Sequence, residues 1–395
     1  MANTPDLRND FLWGAATSAH QTEGNNVGSD MWRSEARRPE RSGDACDSYH
    51  RYPEDMRLLA DAGLNAYRFG IEWARIEPEE GLFSNAQLAH YRRMIDTARE
   101  LGVEPVVTLH HFSSPYWFTE DGGWTSDKGL DRFVRYVEKA CTILDGVTWV
   151  CTMNEPNMVA TSMTMRGLAE QGGQDLIAGG LPTPLEEHSL RLVEFHKAAV
   201  QVVRERTSAK AGWTVAQQSL VALPGGEAKH AELQWLWEDL FLEAARGDDF
   251  LGVQSYSSKN VDADGIVKQP DHPDNTLTGW AYRPDALGIA LRHAWEVTLG
   301  LPLMVTENGI ATGDDNRRID YTTKALQALY SAVEDGVDVR GYLHWSAIDN
   351  YEWGHWAPTF GLIAFDRETF VRTPKPSLAW LGGVARRNGA LESSG

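Results

Sequence analysis

Short apolar, β-branched runs alternate along the whole chain with longer segments in which apolar residues recur every three or four positions. The first pattern is typical of buried strands and the second of amphipathic helices. We predict eight strands, at residues 11–15, 65–71, 103–110, 149–154, 211–216, 250–255, 303–306 and 339–345. We predict eight helices, at residues 54–61, 86–101, 130–144, 186–206, 228–246, 284–299, 321–335 and 376–386. Glycine closes several of these helices, as expected for left-handed C-caps, at positions 63, 102, 300 and 336.

Strand–helix alternation repeated eight times predicts an α/β protein built as a single (β/α)8 TIM barrel, with its active site at the carboxyl ends of the strands. We expect residues 1–390 to form one domain and residues 391–395 to be a tail or a vector-derived remnant. Less regular stretches, which follow strands on the side where barrel enzymes carry their sites, are predicted at residues 24–51, 157–184, 259–282 and 349–366. The glycine-rich residues 172–180 are predicted to form a mobile loop.

Composition excludes several classes of protein. Of 395 residues, 42% are hydrophobic and 24% charged, as in ordinary globular proteins. The 37 basic and 56 acidic residues give a net charge of −19, which weighs against nucleic acid or an anionic membrane as partner. No apolar run approaches the roughly 18 residues of a membrane helix, and residues 1–10 lack a signal-peptide core. Three cysteines without paired spacing indicate reduced thiols, so we expect a cytoplasmic protein.

Two carboxylates stand out because each ends an apolar run. Glu155 follows predicted strand four, and Glu307 follows predicted strand seven. A closed barrel holds these two positions on facing parts of one rim, where a carboxylate pair can hydrolyse a glycosidic bond. Taken singly, each could be a solvated residue at a strand end. Arg68, inside an apolar run, is a candidate to keep a neighbouring carboxylate ionised, with an ordinary surface ion pair as the alternative.

Six motifs in order resemble those of glycoside hydrolase family 1, the β-glucosidase/β-galactosidase family. They are FLWGAATSAHQTEG (11–24), YRFGIEWARI (67–76), VTLHHF (107–112), TMNEP (152–156), VTENG (305–309) and WSAIDNYEW (345–353). Each motif alone is weak, but their order along the chain makes the resemblance specific.

The resemblance implies a retaining β-glycosidase, best described as a β-glucosidase, that acts on a small β-glycoside or oligosaccharide and needs no metal or organic cofactor. It implies that Glu155 is the acid/base and Glu307 the nucleophile, and that Trp345 lies under the sugar ring. The hydroxyl of Tyr256 is expected on the nucleophile, and Arg68 is expected to support the pair. The residues expected to hydrogen-bond the sugar are Gln21, His111, Asn154, Glu352 and Trp353.

The chain departs from the family pattern at three places. Phe112 stands where a tryptophan is common, so an indole N–H is lost. Gln254 and Ser255 precede Tyr256 where Asn-Tyr is usual, which puts the supporting hydrogen bonds of Tyr256 in doubt. His20 replaces a common aromatic residue before Gln21.

Three alternatives stay open at this point. A 6-phospho-β-glycosidase is disfavoured, because residues 352–360 hold no Lys or Arg and keep the acidic Glu352. A transglycosylase would use the same covalent intermediate, and a non-catalytic carbohydrate-binding protein would keep the tryptophans without both glutamates. The sequence does not distinguish glucose from galactose or fucose, and it favours no oligomeric state.

Overall fold

Twelve strands occur in the computed structural model, which describes residues 7–170 and 181–391. In chain order they are β1 (Leu12–Ala16), β2 (Ala66–Gly70), β3 (Glu104–Thr108), β4 (Trp149–Asn154), β5 (Lys210–Ala216), β6 (Leu220–Ala222), β7 (Leu251–Gln254), β8 (Lys259–Val261), β9 (Leu303–Asn308), β10 (Val339–Trp345), β11 (Ile363–Phe365) and β12 (Arg372–Pro374). Eight of them close into a parallel barrel in the order β1-β10-β9-β7-β5-β4-β3-β2. The other four form two short ribbons, β6 with β8 and β11 with β12.

Helices connect these strands. In the described residues they are α1 (Ala19–Thr22), α2 (Asp30–Ser34), α3 (Ser48–Ala62), α4 (Trp73–Ile76), α5 (Asn85–Glu100), α6 (Tyr116–Glu120), α7 (Gly129–Cys141), α8 (Pro156–Glu170), α9 (Glu186–Arg206), α10 (Glu227–Gln234), α11 (Leu240–Ala244), α12 (Ala286–Val297), α13 (Asp315–Glu334) and α14 (Pro376–Arg386). A π-helical turn, Trp235–Asp239, joins α10 to α11. Among the helices of residues 7–170 and 181–391, none has the length and apolar character needed to cross a membrane.

The predicted barrel is confirmed: all eight predicted strands are present, and β4 and β10 have the predicted bounds. The glycines predicted after four helices all have positive φ, with values of 103°, 72°, 86° and 96°. The prediction was wrong for the start of residues 157–184, which belongs to α8. It was also wrong for the single helix over 228–246, because the π-helical turn interrupts it. The predicted mobile loop from residue 172 to 180 and most of the predicted tail, residues 392–395, lie outside the described residues.

Two hydrophobic clusters hold the barrel together. The larger packs the strands against the surrounding helices, with Trp13, Phe69, Tyr136, Trp213 and Leu326 all buried. The smaller takes side chains from several barrel strands, among them Ala66 of β2, Met304 of β9 and Leu343 of β10, and fills the barrel interior. Towards the carboxyl ends of the strands this apolar filling gives way to buried polar side chains, which form the candidate site.

Candidate active site

The two carboxylates predicted to act as a pair lie at the carboxyl ends of β4 and β9. Glu155 directly follows β4, and Glu307 is the second-last residue of β9. The backbone of Glu155 has a φ of 44°, and its N–H donates to the carbonyl of Thr214 in β5 at 2.7 Å. Glu307 is 4% exposed. The negative charge of Glu307 raises the pKa of Glu155 in addition to the effect of burial, so the two carboxyls lie within electrostatic reach of each other.

Arg68 connects the nucleophile candidate to Asn154. Its side chain is fully buried in β2, and it donates from Nη1 to Oε1 of Glu307 and from Nη2 to Oδ1 of Asn154, both at 2.5 Å. Its Nε donates to the hydroxyl of Thr108 at 3.0 Å. The alternative prediction, that Arg68 forms an ordinary surface ion pair, is therefore wrong, because the guanidinium has no contact with bulk water.

Tyr256 supplies the second hydrogen bond to the Glu307 carboxylate. The phenol hydroxyl donates to Oε2 of Glu307 at 2.6 Å. Burial, together with the charges of Glu307 and Glu155, raises the pKa of Tyr256 well above its usual value. The phenol therefore keeps its proton, and both carboxylate oxygens of Glu307 accept a hydrogen bond from a fixed donor.

The two glutamates have different electrostatic surroundings. Burial raises the pKa of Glu155 well above the ordinary range, the charge of Glu307 raises it further, and Arg68 opposes both. Burial also raises the pKa of Glu307, but less, because Arg68 and Tyr256 stabilise its ionised form. In the described part of the chain, no side chain donates a hydrogen bond to the Glu155 carboxyl. Burial and the neighbouring charge thus favour the protonated form of Glu155, and the two donors favour the ionised form of Glu307.

Three donors orient the side-chain amide of Asn154. Its Oδ1 accepts hydrogen bonds from Arg68, from Nε2 of Gln254 at 2.8 Å and from Oγ1 of Thr214 at 3.1 Å. Because only the oxygen of an amide can accept, these donors fix which way the group faces. The Nδ2 of Asn154 is buried and has no partner among the described residues. Its N–H groups are therefore free for a ligand, and the Gln254 that departs from the family pattern still takes part in the supporting network.

An aromatic wall borders the carboxylates. The imidazole of His111 packs face to face with Trp345 at 5.9 Å and with Trp353 at 6.3 Å. Phe112 meets Trp353 edge-on at 5.0 Å. Burial holds the pKa of His111 well below its ordinary value, so the ring is neutral. Its buried Nδ1 lacks a partner in the described chain, which argues against a satisfied core histidine.

Glu352 and Gln21 lie in the same network. Oε1 of Glu352 accepts from the indole N–H of Trp345 at 3.2 Å. Burial raises the pKa of Glu352 to about 8, with a further contribution from the charge of Glu307. Gln21 donates to Asn350 at 2.9 Å and to the carbonyl of Tyr351 at 3.0 Å. Gln21 therefore joins α1 to the segment that carries Glu352.

Some neighbours of the site are not among the predicted site residues. Thr214, an orienting donor for Asn154, reads only as a strand residue. His20 bonds Glu35 at 2.8 Å inside the protein and stacks on Trp353 at 6.0 Å and 8°. Trp280, 39% exposed, lies 5.6 Å from the ring of Tyr256. Trp280 could have been found from the sequence, as a tryptophan in the irregular stretch from residue 259 to 282, and His20 stood out there only as a departure from the family pattern.

We find no metal-binding arrangement of three or more His, Cys, Asp or Glu side chains in residues 7–170 and 181–391. His110, next to His111 in sequence, shares a hydrogen bond of 3.0 Å between its Nε2 and Ser114. A protonated carboxyl can donate a proton while an ionised carboxylate beside it attacks an electrophilic carbon. The aromatic wall and the free amide N–H groups of Asn154 suit a ring that carries hydroxyl groups.

Comparison with known proteins gives one family. The profile described as "Glycosyl hydrolase family 1" matches residues 3–232 and 246–390, nearly the whole chain.

Individual proteins agree with this match. "Thermostable beta-glucosidase B" of Thermobispora bispora is 32% identical, over 96% of this chain and 90% of that protein. The crystal structure of "beta-glycosidase BGL167" is 41% identical, with a TM-score of 0.88 over 98% of this chain and 99% of that one. "Beta-glucosidase from Thermotoga maritima in complex with glucoimidazole" is 28% identical, with a TM-score of 0.86 over 97% of this chain and 99% of that one.

Proposed function

The chain belongs to glycosyl hydrolase family 1, and on that premise we propose that it is a retaining β-glycosidase whose preferred substrates are unphosphorylated β-D-glucosides. Relatives that cover nearly the whole chain are named β-glucosidases. A glucose-like ring is also the ligand class named for the Thermotoga maritima structure, which is solved with glucoimidazole.

In the proposed reaction, a carboxylate oxygen of Glu307 attacks the anomeric carbon and forms a covalent glycosyl ester. At the same time Glu155 gives its proton to the leaving glycosidic oxygen, and the aglycone departs as an alcohol. Glu155, now ionised, then removes a proton from water. The oxygen of this water attacks the anomeric carbon and breaks its ester bond to Glu307. The sugar is released with its original configuration, and Glu307 is restored as a carboxylate.

One observation carries this assignment: the two glutamates have opposite hydrogen-bond environments. Arg68 and Tyr256 donate to both oxygens of Glu307, as a nucleophile that must be ionised requires. The carboxyl of Glu155 is desolvated and lies beside a second negative charge, as an acid that must hold a proton requires. In the reverse assignment Glu307 would be the acid, although the guanidinium of Arg68 stabilises its ionised form.

We assign binding of the sugar to the polar groups and rings around this pair. The free amide N–H groups of Asn154 would donate to the 2-hydroxyl, where hydrogen bonds strengthen in the transition state. Trp345 would lie under the apolar face of the ring. The remaining hydroxyls would be held by Gln21, His111, Glu352 and Trp353.

An unphosphorylated sugar is favoured because residues 352–360 contain no Lys or Arg that could bind a phosphate and have the carboxyl group of Glu352 there instead. Arg38 lies beside Gly354 in the same region, so a basic side chain is near this segment although none is within it. Comparison of kcat/KM for 4-nitrophenyl β-D-glucoside and its 6-phosphate decides between an unphosphorylated and a phosphorylated sugar as the preferred substrate. A higher value for the phosphorylated glucoside would contradict the proposal.

The decisive experiment uses the two glutamates separately. Glu307→Gln should lose several powers of ten in hydrolysis of aryl β-glucosides, because an amide is a poor nucleophile. Glu155→Ala should lose most with poor leaving groups and recover with added azide, which attacks without a base. Glu104→Gln is the matched control, because Glu104 begins β3 at the opposite end of the barrel and glutamine can still accept from the N–H of Thr148; this variant should keep its activity.

Near-normal hydrolysis by Glu307→Gln would contradict the nucleophile assignment. An absence of both azide rescue and leaving-group dependence in Glu155→Ala would contradict the acid/base assignment. Addition of a sugar acceptor to the wild-type reaction separates hydrolysis from transfer, since transfer gives a new glycoside instead of free sugar.

We also propose that residues 1–390 act as one catalytic unit in the cytoplasm. The free, buried thiols of Cys46, Cys141 and Cys151 support a reducing compartment. Cell fractionation with an activity assay tests this, and activity confined to an extracellular fraction would contradict it.

A further inference from the structure

We propose that Asn157 is a positioning residue that fixes the turn carrying Glu155, through hydrogen bonds to β5 and to the π-helical turn Trp235–Asp239. This inference rests on the proposed function, because it concerns how the acid/base glutamate is held. Asn157 lies two residues after Glu155, in the first turn of α8, and it is fully buried.

The turn needs support because its backbone is unusual. Glu155 has a φ of 44°, in the left-handed region that L-residues other than Gly, Asn and Asp seldom adopt. The next residue, Pro156, has no N–H to donate. The backbone therefore anchors Glu155 to β5 by a single hydrogen bond, from its own N–H to the carbonyl of Thr214 at 2.7 Å. A left-handed residue persists where its surroundings determine it by more than one contact.

Asn157 supplies the missing contacts. Its Nδ2 donates to the carbonyl of Ala216 at 2.7 Å, and its Oδ1 accepts from the N–H of Ala216 at 3.4 Å. The side chain thus pairs with both main-chain groups of one β5 residue, as a neighbouring strand would. Thr214 bonds Glu155 and Ala216 bonds Asn157, so the pairing of β4 with β5 continues past the end of β4 and through the turn.

The π-helical turn provides the second anchor. The other N–H of Nδ2 donates to the carbonyl of Trp237 at 2.8 Å. Trp237 is 1% exposed, so this hydrogen bond is shielded from water. π-Helical turns recur at functional sites, and here the turn places a main-chain acceptor where the acid/base segment needs one. Both donors and the acceptor of the Asn157 amide are used, and none of them is directed at a ligand.

The test compares glucosides with good and poor leaving groups. An acid that is displaced hinders departure of phenolate but not of 2,4-dinitrophenolate, which leaves without protonation. We expect Asn157→Ala to lose about 10²-fold in kcat/KM for phenyl β-glucoside and less than about threefold for the 2,4-dinitrophenyl glucoside. Asn157→Asp, which has the same shape but no donor, should give the same ratio.

Asn65→Ala is the matched control. The Asn65 amide makes the same type of contact at the opposite end of the barrel, since Oδ1 accepts from the N–H of Trp13 at 2.7 Å and Nδ2 donates to the carbonyl of Phe11 at 3.2 Å. We expect this variant to lower Tm without changing the ratio between the two glucosides. A change in Tm alone therefore does not count as support for the inference.

Equal losses on both substrates, or an unchanged ratio, in Asn157→Ala and Asn157→Asp would overturn the inference. It would also be overturned if neither variant folds, because Asn157 would then hold the fold and not the turn. Wild-type protein that hydrolyses neither glucoside would instead contradict the proposed function, so the two failures are distinguishable.

Discussion

Arg68 and Glu307 form a buried ion pair, with Nη1 and Oε1 2.5 Å apart and no exposed surface on the arginine. This guanidinium lies beside a carboxyl group that is electrostatically coupled to two others, Glu155 and Glu352. Because one positive charge cannot balance three negative charges at low dielectric, the carboxyls ionise at different pH values. Arg68 opposes the effect of burial on the pKa of Glu307 and so favours the ionised form of that carboxyl.

Replacing Arg68 should shift the acidic limb of the pH profile of kcat/KM. Arg68→Lys keeps a charge but cannot bond Glu307 and Asn154 together, so we expect the pKa of Glu307 to rise. A nucleophile with a higher pKa loses its proton later, so the acidic limb of kcat/KM against pH should shift upwards. The lost charged hydrogen bond, ~1.5–3 kcal/mol, corresponds to a roughly 10- to 100-fold fall in kcat/KM. An unmoved acidic limb would show that Arg68 does not set this ionisation.

Tyr256→Phe tests the other donor to Glu307. We expect a shift of the acidic limb in the same direction and a smaller loss in kcat/KM, about tenfold, because the removed donor is neutral. Tyr321→Phe is the control: the Tyr321 hydroxyl donates to the carbonyl of Tyr256 at 2.6 Å and does not touch Glu307. Identical pH profiles for the two variants would rule out the proposed role of the Tyr256 hydroxyl.

Neutralising Glu307 should lower the pKa of Glu155. The charge of Glu307 raises that pKa, so Glu307→Gln removes the contribution while burial remains. Carbon NMR of glutamate labelled at its carboxyl follows the titration directly and does not depend on turnover. Glu104→Gln, at the opposite end of the barrel, should leave the Glu155 titration unchanged. A Glu155 pKa that stays the same in Glu307→Gln would mean that the two carboxyls are not coupled.

Glu352→Gln should change the pH dependence of stability. The pKa of Glu352 rises from an ordinary 4.5 to about 8 in the folded protein, so its contribution to stability is lost as the pH rises between these values. An amide does not ionise, and the variant should therefore gain on the order of 1–3 kcal/mol over wild type at pH 9 and nothing at pH 4. Urea unfolding at both pH values measures this, and equal stability differences at the two would contradict it.

Gln254→Leu should affect substrates with a 2-hydroxyl more than substrates without one. Gln254 donates to the oxygen of Asn154, and its loss should let the Asn154 amide turn away from the sugar. We expect about a tenfold fall in kcat/KM for aryl β-glucosides, from one neutral hydrogen bond, and less than about twofold for the 2-deoxy analogues. Equal losses on both series would show that Gln254 acts elsewhere, for instance through Glu307.

The barrel could be predicted from the sequence because each of its strands is buried on both faces. Mostly apolar runs such as residues 149–154 and 339–345 therefore marked both ends of their strands. The break in the helix over 228–246 could not be predicted. The π-helical turn there is set by contacts with Asn157 and Gln218, which lie far away in sequence.

The site could be predicted in its residue types and not in its connections. Motif order pointed to Glu155, Glu307, Asn154 and Arg68, but hydrogen bonds between residues 86 to 239 positions apart leave no trace in a single sequence. The pair of His20 with Glu35 shows the same limit, since only the fold brings the imidazole against both Glu35 and Trp353.

The first strand of the barrel pairs with the last, β1 with β10, from Leu12 opposite Gly341 to Ala16 opposite Trp345. During translation β1 is synthesised first and β10 last among the barrel strands. One edge of β1 therefore stays unpaired while more than three hundred residues are added. The side-chain amide of Gln21 also lacks its hydrogen-bond acceptors at that stage, because Asn350 and Tyr351 are synthesised after β10. The nascent chain therefore has an incomplete sugar pocket until its last strand emerges, and a message truncated before β10 yields an inactive product with an open, aggregation-prone sheet.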